Sequence, residues 1–290
     1  MHRLNVLWLM RVSCCGTALA AAFLLAEPAG FAAADAPLPA YEAPHTRIRL
    51  LTSGITEEAG PSQLVAGIEI SLEPGWKTYW RSPGEGIPPS FSWDESANLK
   101  AAEVLWPAPV RFVEADGTSI GYKGRVVLPV LITPEDPAKP ISLNLAIAYG
   151  VCKDICMPVE AQLSLDMDAP VRKNDRQDVV AALGRVPRKQ DASTPCPHRF
   201  VSAKVIGTTD QPALRVETAF DAGTEGRDLM IDAPQEAGLA APTLEAQSAA
   251  GQSAYRFALP AEGVPLIKEK PLTFTTVSDQ GSCESRAPVE

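Results

Sequence analysis

Between Ile141 and Met167 the apolar residues fall on odd positions: Ile141, Leu143, Leu145, Ile147, Tyr149 and Val151, then Met157, Val159, Ala161, Leu163, Leu165 and Met167. Period two is the signature of a strand. Two such runs of one parity, separated by a short polar break, predict a hairpin that folds back near Asp154. In that register Val151 faces Met157 and Cys152 faces Cys156. Both cysteines have even parity, so they point away from the core face that the odd residues build. Four residues of extended strand would hold the two Cα atoms about 13 Å apart, whereas a disulfide needs them within about 7 Å. Opposed hairpin residues sit at about 4.5–5.5 Å, close enough to bridge.

A bond closing so short a loop gains little loop entropy, and accessible disulfides are the exchanging kind. Geometry therefore points to a switchable bond, while a structural staple on an exposed hairpin stays open beside it. A third reading is a metal site completed by Cys196 and His198, since the C-x3-C spacing suits zinc ligands. Lys153 between the sulfurs favours a thiolate and Asp154 opposes it, so the sign of their joint effect stays open.

Elsewhere prolines and glycines recur every ten residues or so and short alternating runs stand between them, as in Leu64–Ile70 and Val126–Leu131. This pattern predicts an all-β fold built of β-sandwiches. Asp175 to Leu183 is the one helix candidate, opened by Asn174 or Asp175 as N-cap. It lies in a charged stretch ending at Pro195 and Pro197. The expected organisation is a first sandwich over 35–170, a linker with a short helix over 171–195, and a second, degenerate sandwich over 196–290. Paired segments suggest the duplication: Pro140-Ile-Ser-Leu with Pro271-Leu-Thr-Phe, and Gly150-Val-Cys152 with Gly281-Ser-Cys283.

Residues 1–34 read as a signal peptide, with Arg3 and Arg11 before an apolar run and a small-residue site at Ala32-Ala33-Ala34. Cys14 and Cys15 belong to that segment, and no second hydrophobic span follows it. Four cysteines then remain in an exported chain, where disulfides are the default. With 26 basic against 35 acidic residues, nucleic acid is not an expected partner. No Ser/His/Asp set, phosphate loop or paired-carboxylate motif stands out, and no cofactor is expected.

Four segments occur in order: Gly75-Trp-Lys-Thr-Tyr-Trp-Arg-Ser-Pro-Gly84, Leu105-Trp-Pro-Ala-Pro-Val-Arg-Phe112, Gly121-Tyr-Lys-Gly-Arg-Val-Val-Leu-Pro-Val130 and Tyr149-Gly-Val-Cys-Lys-Asp-Ile-Cys-Met-Pro158. Together they resemble the N-terminal periplasmic domain of the DsbD thiol:disulfide interchange proteins, and most of all its ScsB branch, over about 41–167. The resemblance implies an immunoglobulin-like fold with Cys152 and Cys156 as the redox pair; which of the two attacks a client stays open, with Cys156 favoured. It implies a membrane-embedded CcdA- or DsbD-like electron donor and periplasmic thioredoxin-like clients. It also implies a cap loop over Val113 to Ile120, with Glu114 and Asp116 as acidic neighbours and Phe112 or Tyr122 as the covering aromatic. The membrane and thioredoxin domains of DsbD have no counterpart in this sequence.

Cys283 lies where the duplicated hairpin falls, without a second cysteine after it, and Cys196 is its natural structural partner. A loop of nearly ninety residues closed by that bond adds a few kcal/mol in the chain-entropy model. Trp76, Tyr79, Trp80, Phe91 and Trp93 read mostly as core and loop packing, with a minority available for docking. Two alternatives to a disulfide relay stand: a copper-handling module using the cysteines with Met157 as soft ligands, and a non-catalytic interaction module with two structural disulfides.

Overall fold

The computed structural model describes residues 39–56, 63–114, 117–190, 196–248 and 250–290. The signal-peptide reading, Cys14, Cys15 and Asp116 therefore lie outside the described residues. In chain order the first half contains β1 (Ala40–Ala43), β2 (Thr46–Thr56), β3 (Gln63–Leu72), β4 (Lys77–Gly84), β5 (Ser90–Ser92) and β6 (Leu99–Val104). It continues with β7 (Val110–Glu114), β8 (Gly117–Lys123), β9 (Arg125–Pro134), β10 (Ser142–Cys152) and β11 (Cys156–Asp166). One sheet has the order β1-β2-β3-β9-β6, the other β11-β10-β4-β8-β7 with β5 added on β10.

Alternation decides which side chains lie between these sheets. Even positions of β3 and β9 (Ala66, Ile68, Ile70, Val126, Leu128, Val130, Ile132) meet odd positions of β10 and β11 in one buried core that also takes in Trp80. Complete removal of these aliphatic side chains from water, at about 25 cal/mol per Å² of apolar surface, is the main force holding the sheets together.

The odd positions of the first sheet would face water, but α1 (Lys173–Leu183) covers them. Val179 and Ala182 pack on Leu51, Val65 and Val127. The helix begins two residues before the expected start, after Arg172, and no side chain caps it. Asp175 does not serve as a cap because its carboxylate is turned inward, fully buried, and receives Arg49 at 3.0 Å. Arg49 also reaches Glu69, and Arg125 bridges Glu69 to Asp178. Two guanidiniums and three carboxylates thus fasten the helix to β2, β3 and β9.

Beyond α1 the chain forms β12 (Arg188–Lys189), β13 (His198–Gly207), β14 (Pro212–Phe220), β15 (Asp228–Asp232), β16 (Pro242–Gln247) and β17 (Gln252–Ala258). A short helix α2 (Gly263–Glu269) precedes β18 (Leu272–Ser278) and β19 (Gly281–Ala287). Two four-stranded sheets result, β12-β19-β18-β15 and β13-β14-β17-β16, enclosing a second core around Leu214, Val216, Tyr255, Phe257 and Phe274. The chain is all-β apart from its short helices, and each half is an immunoglobulin-like sandwich. No helix among the described residues is long and apolar enough to cross a membrane.

Burial alone would raise the Glu69 carboxyl, but hydrogen bonds from Arg49 and Arg125 outweigh it and hold the group below its usual value of 4.5. A lowered folded-state pKa contributes stability above the unfolded value that is lost as pH falls through the folded one. Glu69→Gln is expected to cost about 3 kcal/mol at neutral pH, because it strands part of a buried ion network. Denaturant unfolding followed downward from pH 7 should show that deficit shrinking as the pH falls through the lowered folded-state value, where the wild-type carboxyl takes up a proton as well.

Candidate functional site

Strands β10 and β11 pair without interruption from Ser142↔Asp166 to Cys152↔Cys156. The turn between them is the three residues Lys153 to Ile155. Cys152 and Cys156 are bonded to each other, with Cα atoms 4.1 Å apart. The two sulfurs nevertheless occupy different surroundings. Cys156 is exposed, whereas Cys152 is 1 % exposed.

That asymmetry is a departure from the expectation that both cysteines point freely outward. Parity is respected, since neither joins the core of odd residues. The even face is covered at this end of the hairpin because β4 pairs with β10 there, at Cys152↔Lys77. Lys77 and Tyr79 therefore lie on the same face as Cys152 and Gly150. The rows continue across β4 and β8, with Lys77 opposite Lys123 and Tyr79 opposite Gly121.

Tyr79 is the aromatic at the sulfurs. Its hydroxyl lies 3.3 Å from Cys156 Sγ, and a disulfide sulfur carries no proton, so the phenol donates. The ring is held in a slot that two glycines leave open. A Cβ at Gly86 would come within 2.5 Å of the Tyr79 ring, and one at Gly150 within 3.1 Å, so neither position admits a side chain without moving the ring. Sequence pattern alone assigns Tyr79 to packing. The signal that distinguishes it is Gly150 immediately before Val151-Cys152, together with Gly86 after a proline–glycine turn.

The remaining expected residues fall into three groups. Phe112 and Glu114 lie on the site face of β7. Glu114 binds the Lys77 ammonium, which also donates to Ser119 at 3.1 Å. Lys77 and Lys123 stand 5.5 and 4.5 Å from the Phe112 ring centroid. Tyr122, by contrast, belongs to the opposite face, buried in the core with its hydroxyl donating to Pro107 O at 2.8 Å. It is not the covering aromatic, because its register partner is Thr78 rather than Tyr79. Finally, Lys153 does not stand between the sulfurs. Its methylenes lie back against the turn at Gly75, where a Cβ would meet Lys153 Cε at 3.2 Å. Asp154 is exposed at the tip beside Ile155, which is 65 % exposed.

Met157 sits on the odd, core-facing side of β11, opposite in direction to both sulfurs. The geometry thus does not gather Cys152, Cys156 and Met157 into one ligand set. Cys196 is bonded to Cys283, and buried His198 faces Ser278 Oγ and Gly281 O through Nε2, so neither joins the 152/156 pair. A cleft of about 650 Å³ between the sandwiches shares the Gly84–Gly86 loop with the site but includes neither sulfur. Chemistry at this hairpin is directed at a surface, as exchange with another protein requires.

A β-sandwich with a disulfide at the end of an exposed hairpin, one sulfur open and one covered, defines a surface thiol–disulfide domain. Residues 56–168 match the family described as "Thiol:disulfide interchange protein DsbD, N-terminal". This segment of the chain is a DsbD N-terminal domain. Among solved structures the chain is similar to the N-terminal periplasmic domain of ScsB from Proteus mirabilis, with a TM-score of 0.67 and 22 % identity. The likeness covers 86 % of this chain and 96 % of that one, so the fold of both sandwiches is shared. No curated protein sequence matches the chain.

A hydrogen bond to a thiolate is stronger than one to a disulfide sulfur, so the Tyr79 hydroxyl favours the reduced form. Tyr79→Phe keeps the ring in its slot and removes the hydroxyl that donates to Cys156. Its midpoint potential, read at pH 8, should fall by about 10–30 mV, the equivalent of one net hydrogen bond. An unchanged potential would remove Tyr79 from the site.

Proposed function

We propose that the chain works in the periplasm as a disulfide reductase relay. It takes electrons from a membrane-embedded dithiol reductase and passes them to thioredoxin-like client proteins. The observation that carries this reading is the unequal exposure of two directly opposed cysteines. Cys156 is the sulfur a client can reach, and Cys152 is its covered cross-strand neighbour.

In the reduced protein the Cys156 thiolate attacks one sulfur of a client disulfide. The client S–S bond breaks, a Cys156–client mixed disulfide forms, and the departing client thiolate takes up a proton. Cys152, as thiolate, then attacks Cys156 Sγ. The intramolecular bond re-forms and the second client sulfur leaves as a thiol after protonation. Two electrons and two protons have passed to the client. The membrane dithiol restores the pair by the same exchange in reverse order. Burial of Cys152 suits the resolving role, because it meets no outside disulfide while remaining next to the one sulfur it must attack. Tyr79 assists by stabilising charge on Cys156 whenever that sulfur attacks or leaves.

The membership of residues 56–168 in the DsbD N-terminal family supports exchange chemistry, and the similarity to a periplasmic domain of ScsB supports a periplasmic setting. Titration of the pair against glutathione, with alkylated thiols counted by mass in a Cys196→Ala/Cys283→Ala background, should give a potential above about −300 mV. Cys152→Ala should accumulate mixed disulfides with clients, and Cys156→Ala should not. A bond that resists reduction would make the hairpin a staple. Equal trapping by both variants would overturn the assignment of roles.

A further inference from the structure

Strand β15 reads Asp228-Leu-Met-Ile-Asp232, and its alternation sends Leu229 and Ile231 into the second core. The other face presents Asp228, Met230 and Asp232, and it is turned toward the first sandwich. Met230 is 1 % exposed and belongs to the first core rather than the second. On either side of it stand two charge clamps. Asp228 accepts Arg111 through both carboxylate oxygens at 3.0 Å, and Arg111 also reaches Leu229 O. Asp232 accepts Arg81 Nε at 3.0 Å and the hydroxyl of Ser82. Glu284 accepts the other arm of Arg81 at 2.7 Å. It lies in the same cross-strand row as Met230, through Thr275. A plug and three carboxylates on one sheet face therefore grip two arginines of the first sandwich.

Those arginines are not placed at random. Arg81 lies on β4 two residues beyond Tyr79, and Arg111 lies on β7 next to Phe112. One clamp thus acts on β4, which adjoins the hairpin, and the other on β7 at the far edge of the same sheet, whereas the cysteines themselves end β10 and begin β11. Strand β4 is itself weakly tied to the hairpin: β10 meets it at the single registered pair Cys152↔Lys77, and its pairing with β8 is irregular between Tyr79 and Gly84. Beyond Tyr79 the registered pairing of β4 with β8 lapses until Gly84, and Arg81 lies in that stretch.

We infer that the second sandwich positions the redox site: Asp232 and Glu284, through Arg81, fix the segment of β4 that holds the Tyr79 hydroxyl on Cys156, and Asp228 does the same for β7. They are positioning residues and touch no reacting atom. This inference rests on the thiol-exchange reading above.

The test is the glutathione equilibrium of the 152/156 pair in the full chain, for Asp232→Asn, Glu284→Gln and Asp232→Glu, each with and without Tyr79→Phe. Loss of either clamp carboxylate should shift the equilibrium about two- to tenfold toward the disulfide, at most the full effect of losing the Tyr79 bond. Asp232→Glu keeps the charge and should restore most of the wild-type value. In the Tyr79→Phe background the same substitutions should add nothing, a result that a general loss of stability does not produce. Thermal melting and an intact Cys196–Cys283 bond confirm that each variant is folded. Wild-type equilibria in both clamp variants, or shifts that add fully to Tyr79→Phe, would overturn the inference and leave the exchange function standing. A wild-type pair that does not equilibrate with glutathione would instead sink the exchange reading, and this inference with it.

Discussion

The pairing register of β10 and β11 is the constraint on which the site depends. Eleven consecutive cross-strand pairs fix it, from Ser142↔Asp166 to Cys152↔Cys156. A slip by one residue would turn Leu143, Leu145, Ile147, Val159, Leu163 and Leu165 out of the core and the even residues into it. Burial of those side chains therefore holds two sulfurs opposite each other at the far end of the ladder. The cysteines contribute nothing to that register when reduced. Their proximity is set by a core they do not join.

The second determinant is what covers the even face. Along most of β10 the even positions are partly open, but the last two, Gly150 and Cys152, are buried by the approach of β4. Because β4 lies on the β10 side of the hairpin and β11 is an edge strand, one cysteine is sheltered and the other is not. A symmetric pair would offer both sulfurs to a client. Here the sheet order itself separates an exposed sulfur from a covered one. Lys77, fixed to Glu114 and Ser119, places a buried ammonium in the register row of Cys152, so the covered cysteine does not lie in purely apolar surroundings.

Local pattern made part of this legible. The shared parity of Ile141–Val151 and Met157–Met167 implied both the hairpin and the opposition of the cysteines, because period two is a property of neighbouring residues. Asp175 shows the limit of such reasoning. A small acidic residue at a helix start reads as a cap, yet a half-buried arginine 126 positions away claims its carboxylate. Tyr79 is a similar case. It contacts a sulfur 77 residues further along the chain, in a slot defined by what Gly86 and Gly150 lack. Missing side chains leave no periodic trace. The face of β15 was equally hidden, since an alternating Asp-Met-Asp reads as a solvent face with one stray apolar residue until the partner sandwich is in view.

The second sandwich shows how little separates an exchanging pair from a buried tie. Sequence similarity aligns Gly281-Ser-Cys283 with Gly150-Val-Cys152, but the hairpin turns earlier, at Asp279 and Gln280. Cys283 consequently lies within the returning strand, opposite Thr276 rather than at a tip. There it is 1 % exposed and bonded to Cys196, 87 residues away in sequence. A shorter ladder in the same architecture moves the cysteine from the end of the sheet to its interior. Burial then denies it an external disulfide to attack, and the long loop it closes gives the bond a structural role instead. Its neighbour Glu284 faces the first sandwich and holds Arg81. The second sandwich thus reaches, through Glu284, the strand that carries Tyr79.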